Sequence, residues 1–178
     1  MASRSLDKLT ADMKEKAESV LKASHNIELD ILIYCTLRPL DEQARLYRQS
    51  RSWGTIKEKI TKYRQRGFGF LADVLERVGP QTGQHVTNAG PGESFHNFGL
   101  AFDAVPLSGG KPIWNYLSGK HAWEAYGGCV RQAGLEWAGD WTTFREYPHA
   151  QLGTGGNPLK QFTPDQLREK LIELGLLK

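Results

Sequence analysis

Apolar positions recur along this chain in runs that predict its elements. Leu6, Leu9, Met13, Ala17, Val20 and Leu21 are mostly three or four residues apart, which predicts an amphipathic opening helix with a charged outer face. Ile31 to Cys35 is a short apolar run carrying β-branched Ile31 and Ile33, the pattern of a buried strand. Pro39 opens the next helix, at a position where its missing N–H costs nothing. Helical spacing resumes from Ile56 to Val78 with interruptions at Gly67 and Gly69. The second half, with Phe68, Phe70, Leu71, Val74, Leu75 and Val78, is apolar enough to pack on the body. Ala89-Gly90-Pro91-Gly92 has the composition of a turn. Leu100 to Val105 then reads as a strand, with Ala101 and Asp103 on one face and Leu100, Phe102 and Ala104 on the other. Lys120 to Ala133 reads as a helix. Tyr147 to Leu152 reads as another strand in which Tyr147, His149 and Gln151 share a face, and Pro148 restricts it to an edge or an irregular position.

Near the C-terminus, Thr163-Pro164-Asp165-Gln166 combines an N-cap threonine, proline at the first helical position and glutamine at the third, which is the capping-box arrangement. Leu167, Leu171 and Leu174 give that helix its apolar stripe. The stretch Gly153-Thr154-Gly155-Gly156-Asn157-Pro158 reads as a connection from the body to this last helix. The sum is an α+β fold: a small, mainly antiparallel sheet with helices packed on one face and at its ends. A length of 178 residues fits a single domain over 1–178 with a core of its own.

Composition narrows the classes. Cys35 and Cys129 form no C-x-x-C pair and read as buried thiols of a reducing compartment; Cys129 lies inside a helix, a poor place for a nucleophile. Asp7, Lys8, Asp12, Lys14, Glu15, Lys16 and Glu18 break any apolar run near the start, so synthesis in the cytoplasm without a signal peptide is expected. No run approaches ~20 apolar residues, which argues against membrane insertion. A net charge of +3 is too small to argue for nucleic acid. The basic stretch Lys57, Lys59, Lys62, Arg64 and Arg66 reads as the solvated face of a helix.

Candidate chemistry sits in two places. Ser94-Phe95-His96-Asn97-Phe98-Gly99-Leu100-Ala101-Phe102-Asp103 is followed later by Glu146-Tyr147-Pro148-His149. His96, Asp103 and His149 offer two imidazoles and a carboxylate, a set that holds a catalytic zinc while leaving a fourth position open for water. Glu146 is a spare carboxylate beside them. Taken alone, the spacing of His96 and Asp103 is weak and favours an ordinary hydrogen-bonded pair or two surface residues over a metal site.

The full strings carry more. Ser94, His96, Gly99, Ala101 and Asp103 match the S-x-H-x-x-G-x-A-x-D pattern of the zinc peptidases that cut peptidoglycan stem peptides. Gly139-Asp140-Trp141 with Glu146-Tyr147-Pro148-His149 resembles that family's second block, and Thr36-Leu37-Arg38-Pro39-Leu40-Asp41-Glu42-Gln43-Ala44-Arg45-Leu46-Tyr47 resembles its upstream strand-to-helix segment. The resemblance spans roughly residues 30 to 152. It implies Zn2+ held by His96, Asp103 and His149, with Glu146 as general base and Arg38 as a clamp for a carboxylate or oxyanion. Arg38, Ser94 and Gln43 are the implied substrate contacts, and Trp141 belongs to the cleft or the core. His25, His85 and His121 lie outside the matching blocks. Ala150 departs from the family, where a larger hydrophobe commonly follows the last ligand.

The implied partner is the stem peptide of bacterial peptidoglycan, cut by a monomeric enzyme that reaches the wall after release. Among family activities, an L-alanyl-D-glutamate endopeptidase of phage or prophage lysis type fits best. The alternatives are a D-Ala-D-Ala carboxypeptidase and a non-catalytic, zinc-containing wall-binding module.

Overall fold

The structure is a computed structural model that describes residues 1–153 and 156–177. Its elements run α1 (Ala11–Asn26), β1 (Ile31–Cys35), α2 (Leu40–Arg48), α3 (Trp53–Gln65), α4 (Gly69–Arg77), β2 (Ala101–Ser108), β3 (Lys111–Pro112), α5 (Lys120–Gln132), β4 (Glu136–Trp137), β5 (His149–Gln151) and α6 (Pro164–Glu173). This is the expected α+β class, with a small open antiparallel sheet. The chain divides into two compact units, one of residues 2–37 and 99–155, the other of Met1, 38–98 and 156–178. Residues 154 and 155 of the glycine-rich connection fall outside the described residues.

The sheet unit is built around β2. Strand order is β1-β2-β5-β4, every pairing is antiparallel, and β3 pairs with the far end of β2. Helix α1 begins at Ala11, where Thr10 caps it by accepting from the Met13 N–H; Leu6 belongs to a preceding 3-10 turn. Met13, Ala17 and Val20 of α1 join Trp123, Tyr126 and Val130 of α5 and Phe102, Ala104 and Val105 of β2 in one buried cluster. Gly127 makes the packing of α5 possible, because a Cβ there would stand 2.4 Å from the Trp137 ring. Gly99 has a comparable reason to be glycine: its φ is +65°, and a Cβ would meet the Lys8 carbonyl at 2.7 Å.

Three expectations about strands are corrected. β1 is an edge strand that leaves Leu32 exposed, and only Cys35 is fully buried. β2 runs to Ser108, beyond the expected end, and is buried without alternation from Ala101 to Pro106; Phe102, Ala104 and Val105 join the cluster formed with α1 and α5. β5 is shorter than expected and lies inside the sheet, not at an edge. Pro148 is compatible with that because it stands just before the strand, where no ladder N–H is required of it.

In the other unit, α4 packs against α2 and α3. The break between α3 and α4 falls at Gly67, whose φ of +81° glycine adopts without strain. Ile56, Ile60, Tyr63, Leu71 and Leu75 are buried there, and Leu167 and Leu171 of α6 are buried as well. The capping box of Thr163 and Gln166 forms as expected. Lys59 and Arg64 of the basic face are engaged, Lys59 with buried Glu93 at 2.5 Å and Arg64 with Glu76 at 2.7 Å.

Candidate metal centre

Asp103 on β2 stands directly opposite His149 on β5 in the ladder, which brings Asp103 Oδ1 to 3.1 Å from His149 Nδ1. Across the other edge of β2, a register shift places Cys35 opposite the same aspartate. The approach to β5 is clamped by buried aromatic donors. Trp137 Nε1 donates to the Tyr147 carbonyl at 2.7 Å, and the Tyr126 hydroxyl donates to the Pro148 carbonyl at 2.9 Å. The His149 N–H donates to the Glu146 carbonyl at 3.1 Å, so the expected base and the expected ligand belong to one turn. Glu146 itself is half-buried.

The pair fits a metal. Two ligands held ~2.0–2.1 Å from a tetrahedral zinc stand about 3.3 Å apart, close to the observed separation, and a carboxylate with an imidazole is a common zinc donor set. Burial pushes the His149 pKa down. The hydrogen bond and charge of Asp103, helped by Glu146 and Gln151, outweigh that and leave it raised above 6.5. His149 Nε2 lies 3.0 Å from Gln151 Oε1, and Gln151 Nε2 donates to Glu136 Oε2 at 2.8 Å. Trp141 Nε1 donates to Glu136 Oε1 at 2.6 Å, with its ring tilted toward that of His149.

Arg38, Gln43, Ser94 and His96 belong to the other unit. His96 is buried in a 3-10 turn over Phe95–Phe98, and its carbonyl accepts from the Arg38 N–H at 3.0 Å. Ser94 Oγ accepts from the His96 N–H at 3.4 Å. Asn97 is fully buried, donates to the Arg38 carbonyl at 2.8 Å and accepts from the Gly92 N–H at 3.0 Å, tying the turn to the arginine segment. Arg38 Nη1 donates to Gln43 Oε1 at 2.9 Å, and Gln43 Nε2 donates to the Ala89 carbonyl at 2.7 Å. Gln43 has no exposed surface, so its amide spans Arg38 and Ala89 instead of facing outward. His25, His85 and His121 are exposed, and Asp140 is paired with Arg131 at 2.9 Å. Cys35 and Cys129 are buried and form no disulfide; burial also raises the Cys129 pKa.

Two family models described as D-alanyl-D-alanine carboxypeptidase match, one over residues 6–113 and one over residues 87–152. The first alone covers more than half of the chain. The chain belongs to this family of peptidoglycan-cleaving zinc peptidases. Its members are metallopeptidases, and zinc is the metal of the family. A relative in that family is the peptidoglycan L-alanyl-D-glutamate endopeptidase CwlK of Bacillus subtilis, 30% identical over 146 residues, which are 79% of this chain and 71% of the relative. Among solved structures, the L-Ala D-Glu endopeptidase ChiX of Serratia marcescens is 18% identical with a TM-score of 0.46, over 86% of this chain and 89% of that one. The D,D-pentapeptidase VanY of a vancomycin-resistance cassette, in complex with Zn(II), is 17% identical with a TM-score of 0.47, over 92% of this chain and 83% of that one.

No sequence motif assigns Gln151 or Glu136 a part in the site. Period-two alternation did put Gln151 on the face of His149, a signal that was present. Glu136 becomes its neighbour only through the pairing of β4 with β5, which no local pattern announces.

Proposed function

We propose that this peptidoglycan peptidase hydrolyses the bond between L-alanine and D-glutamate in the stem peptide, with zinc held by His96, Asp103 and His149. The observation that carries the metal reading is the buried Asp103–His149 pair at ligand separation. The name of the Bacillus relative supports the choice of bond. When bound, zinc lowers the pKa of a water molecule to about 7 and polarises the attacked carbonyl. The Glu146 carboxylate takes the proton from the attacking water and passes it to the leaving amine. The Arg38 guanidinium, braced by Gln43, holds an anionic group of the peptide or the developing oxyanion, and a rigid charged fork suits either. Ser94 holds the turn that carries His96, a positioning role.

The second reading is D-alanyl-D-alanine carboxypeptidase activity, favoured by the description of both family models. Mass spectrometry of digested muropeptides separates the two. New N-terminal D-glutamate is expected, and release of free D-alanine alone overturns the choice of bond. The setting in phage or prophage lysis rests on the resemblance alone. It is tested by producing the chain in bacteria with and without an agent that opens the inner membrane; lysis is expected only with both.

A further inference from the structure

We infer that Gln151, oriented by Glu136 and Trp141, is a positioning residue that fixes the His149 tautomer and leaves Nδ1 as the metal-binding nitrogen; this rests on His149 being a zinc ligand. The direction of every hydrogen bond in the chain follows from donor chemistry. Indole Nε1–H only donates, and an ionised carboxylate only accepts. Trp141 therefore donates to Glu136 Oε1, and the other oxygen of Glu136 must receive the amide N–H of Gln151. That orientation turns Gln151 Oε1 toward His149 Nε2 at 3.0 Å. An amide oxygen accepts and cannot donate, so Nε2 carries the proton. Nδ1 faces Asp103 Oδ1, another expected ligand, so Nδ1 is the nitrogen that would give up its proton to a metal held between the two.

The sheet builds this relay without long side-chain excursions. Glu136 is the ladder partner of Gln151, Asp103 is the ladder partner of His149, and His149 and Gln151 share a face of β5. Gln151 is 3% exposed, so water does not compete for its amide. A partner of this kind sets ring orientation and ligand basicity, and its loss typically weakens metal binding ~10–100-fold.

Nitrogen-15 NMR of the zinc-loaded protein reads directly which ring nitrogen keeps its proton, and chelator competition reads zinc affinity. Wild type is expected to show the Nε2–H tautomer at His149. Gln151→Leu should lose that preference and weaken zinc ~10–100-fold, and Trp141→Phe, which deletes one N–H, should weaken it by less. The double variant Gln151→Glu with Glu136→Gln reverses the middle link: a carboxylate at position 151 accepts from both His149 and the new amide. It should restore tautomer and affinity, which a role in mere packing would not predict. An Nδ1–H tautomer in the wild type overturns the inference without any variant. So does unchanged zinc affinity in a folded Gln151→Leu protein whose affinity His149→Ala abolishes. If His149→Ala binds zinc as tightly as the wild type, the ligand assignment itself fails.

Discussion

His149 is pulled in two directions: burial disfavours its charged form, while the facing Asp103 favours it and prevails. In zinc-free protein the folded-state pKa therefore lies above the unfolded 6.5. The resulting stabilisation is fully present below ~6.5 and is lost as pH rises through the raised folded value. Denaturant titration in chelator should show a larger stability gap between wild type and His149→Ala at pH ~5.5 than at pH ~8.5. A gap that is larger at the alkaline pH would contradict the ion pair. Zinc behaves oppositely, since it needs the neutral ring: its affinity should fall as pH drops through the same raised value. Glu146 is a separate case, because its carboxylate is expected to move a proton and hold no metal. Glu146→Gln should keep zinc by elemental analysis and lose ~10²–10⁴-fold in kcat on a stem-peptide substrate. Retained turnover would place the base elsewhere.

At the scale of elements, two neighbouring glycines on α5 give opposite expectations. A Cβ at Gly127 would meet the buried Trp137 ring at 2.4 Å, whereas one at Gly128 meets nothing within 4 Å. Both positions gain up to ~1 kcal/mol of helix propensity on changing to alanine. At Gly127, overpacking costs about 1–3 kcal/mol and should win, because α5 and β4 would have to separate around a closed aromatic cluster. Urea denaturation is therefore expected to show Gly127→Ala destabilised and Gly128→Ala stabilised by ~0.5–1 kcal/mol. Equal shifts in the two variants would mean that the contact with Trp137 relaxes freely. Separation of α5 from β4 would also disturb Trp137 Nε1, which holds the carbonyl of Tyr147 just before the metal-binding strand.

Taken as a whole molecule, a zinc peptidase that binds metal only when folded gains stability from it. Zinc at 100 times its Kd adds about 2.7 kcal/mol. For a chain of this length that corresponds to a Tm rise of roughly 5–10 °C over chelated protein. Scanning calorimetry should show that rise in the wild type and none in His149→Ala; an equal rise in both would mean that zinc stabilises the fold from another site. The sequence by itself determined the α+β class, the α6 capping box, the strand that carries Asp103 and the residue types of a zinc peptidase, since propensity, capping and motif spacing are properties of neighbouring residues. It also put His149 and Gln151 on one face, because alternation along a strand is local. Only the tertiary structure decided that His149 faces Asp103, that Glu136 and Trp141 stand behind Gln151, that β5 lies inside the sheet, and that Trp137 leaves no room for a Cβ at Gly127. The reason is register: which residues meet across a ladder, or where a helix rests on a strand, depends on how segments far apart in sequence pair, and no local periodicity encodes that alignment.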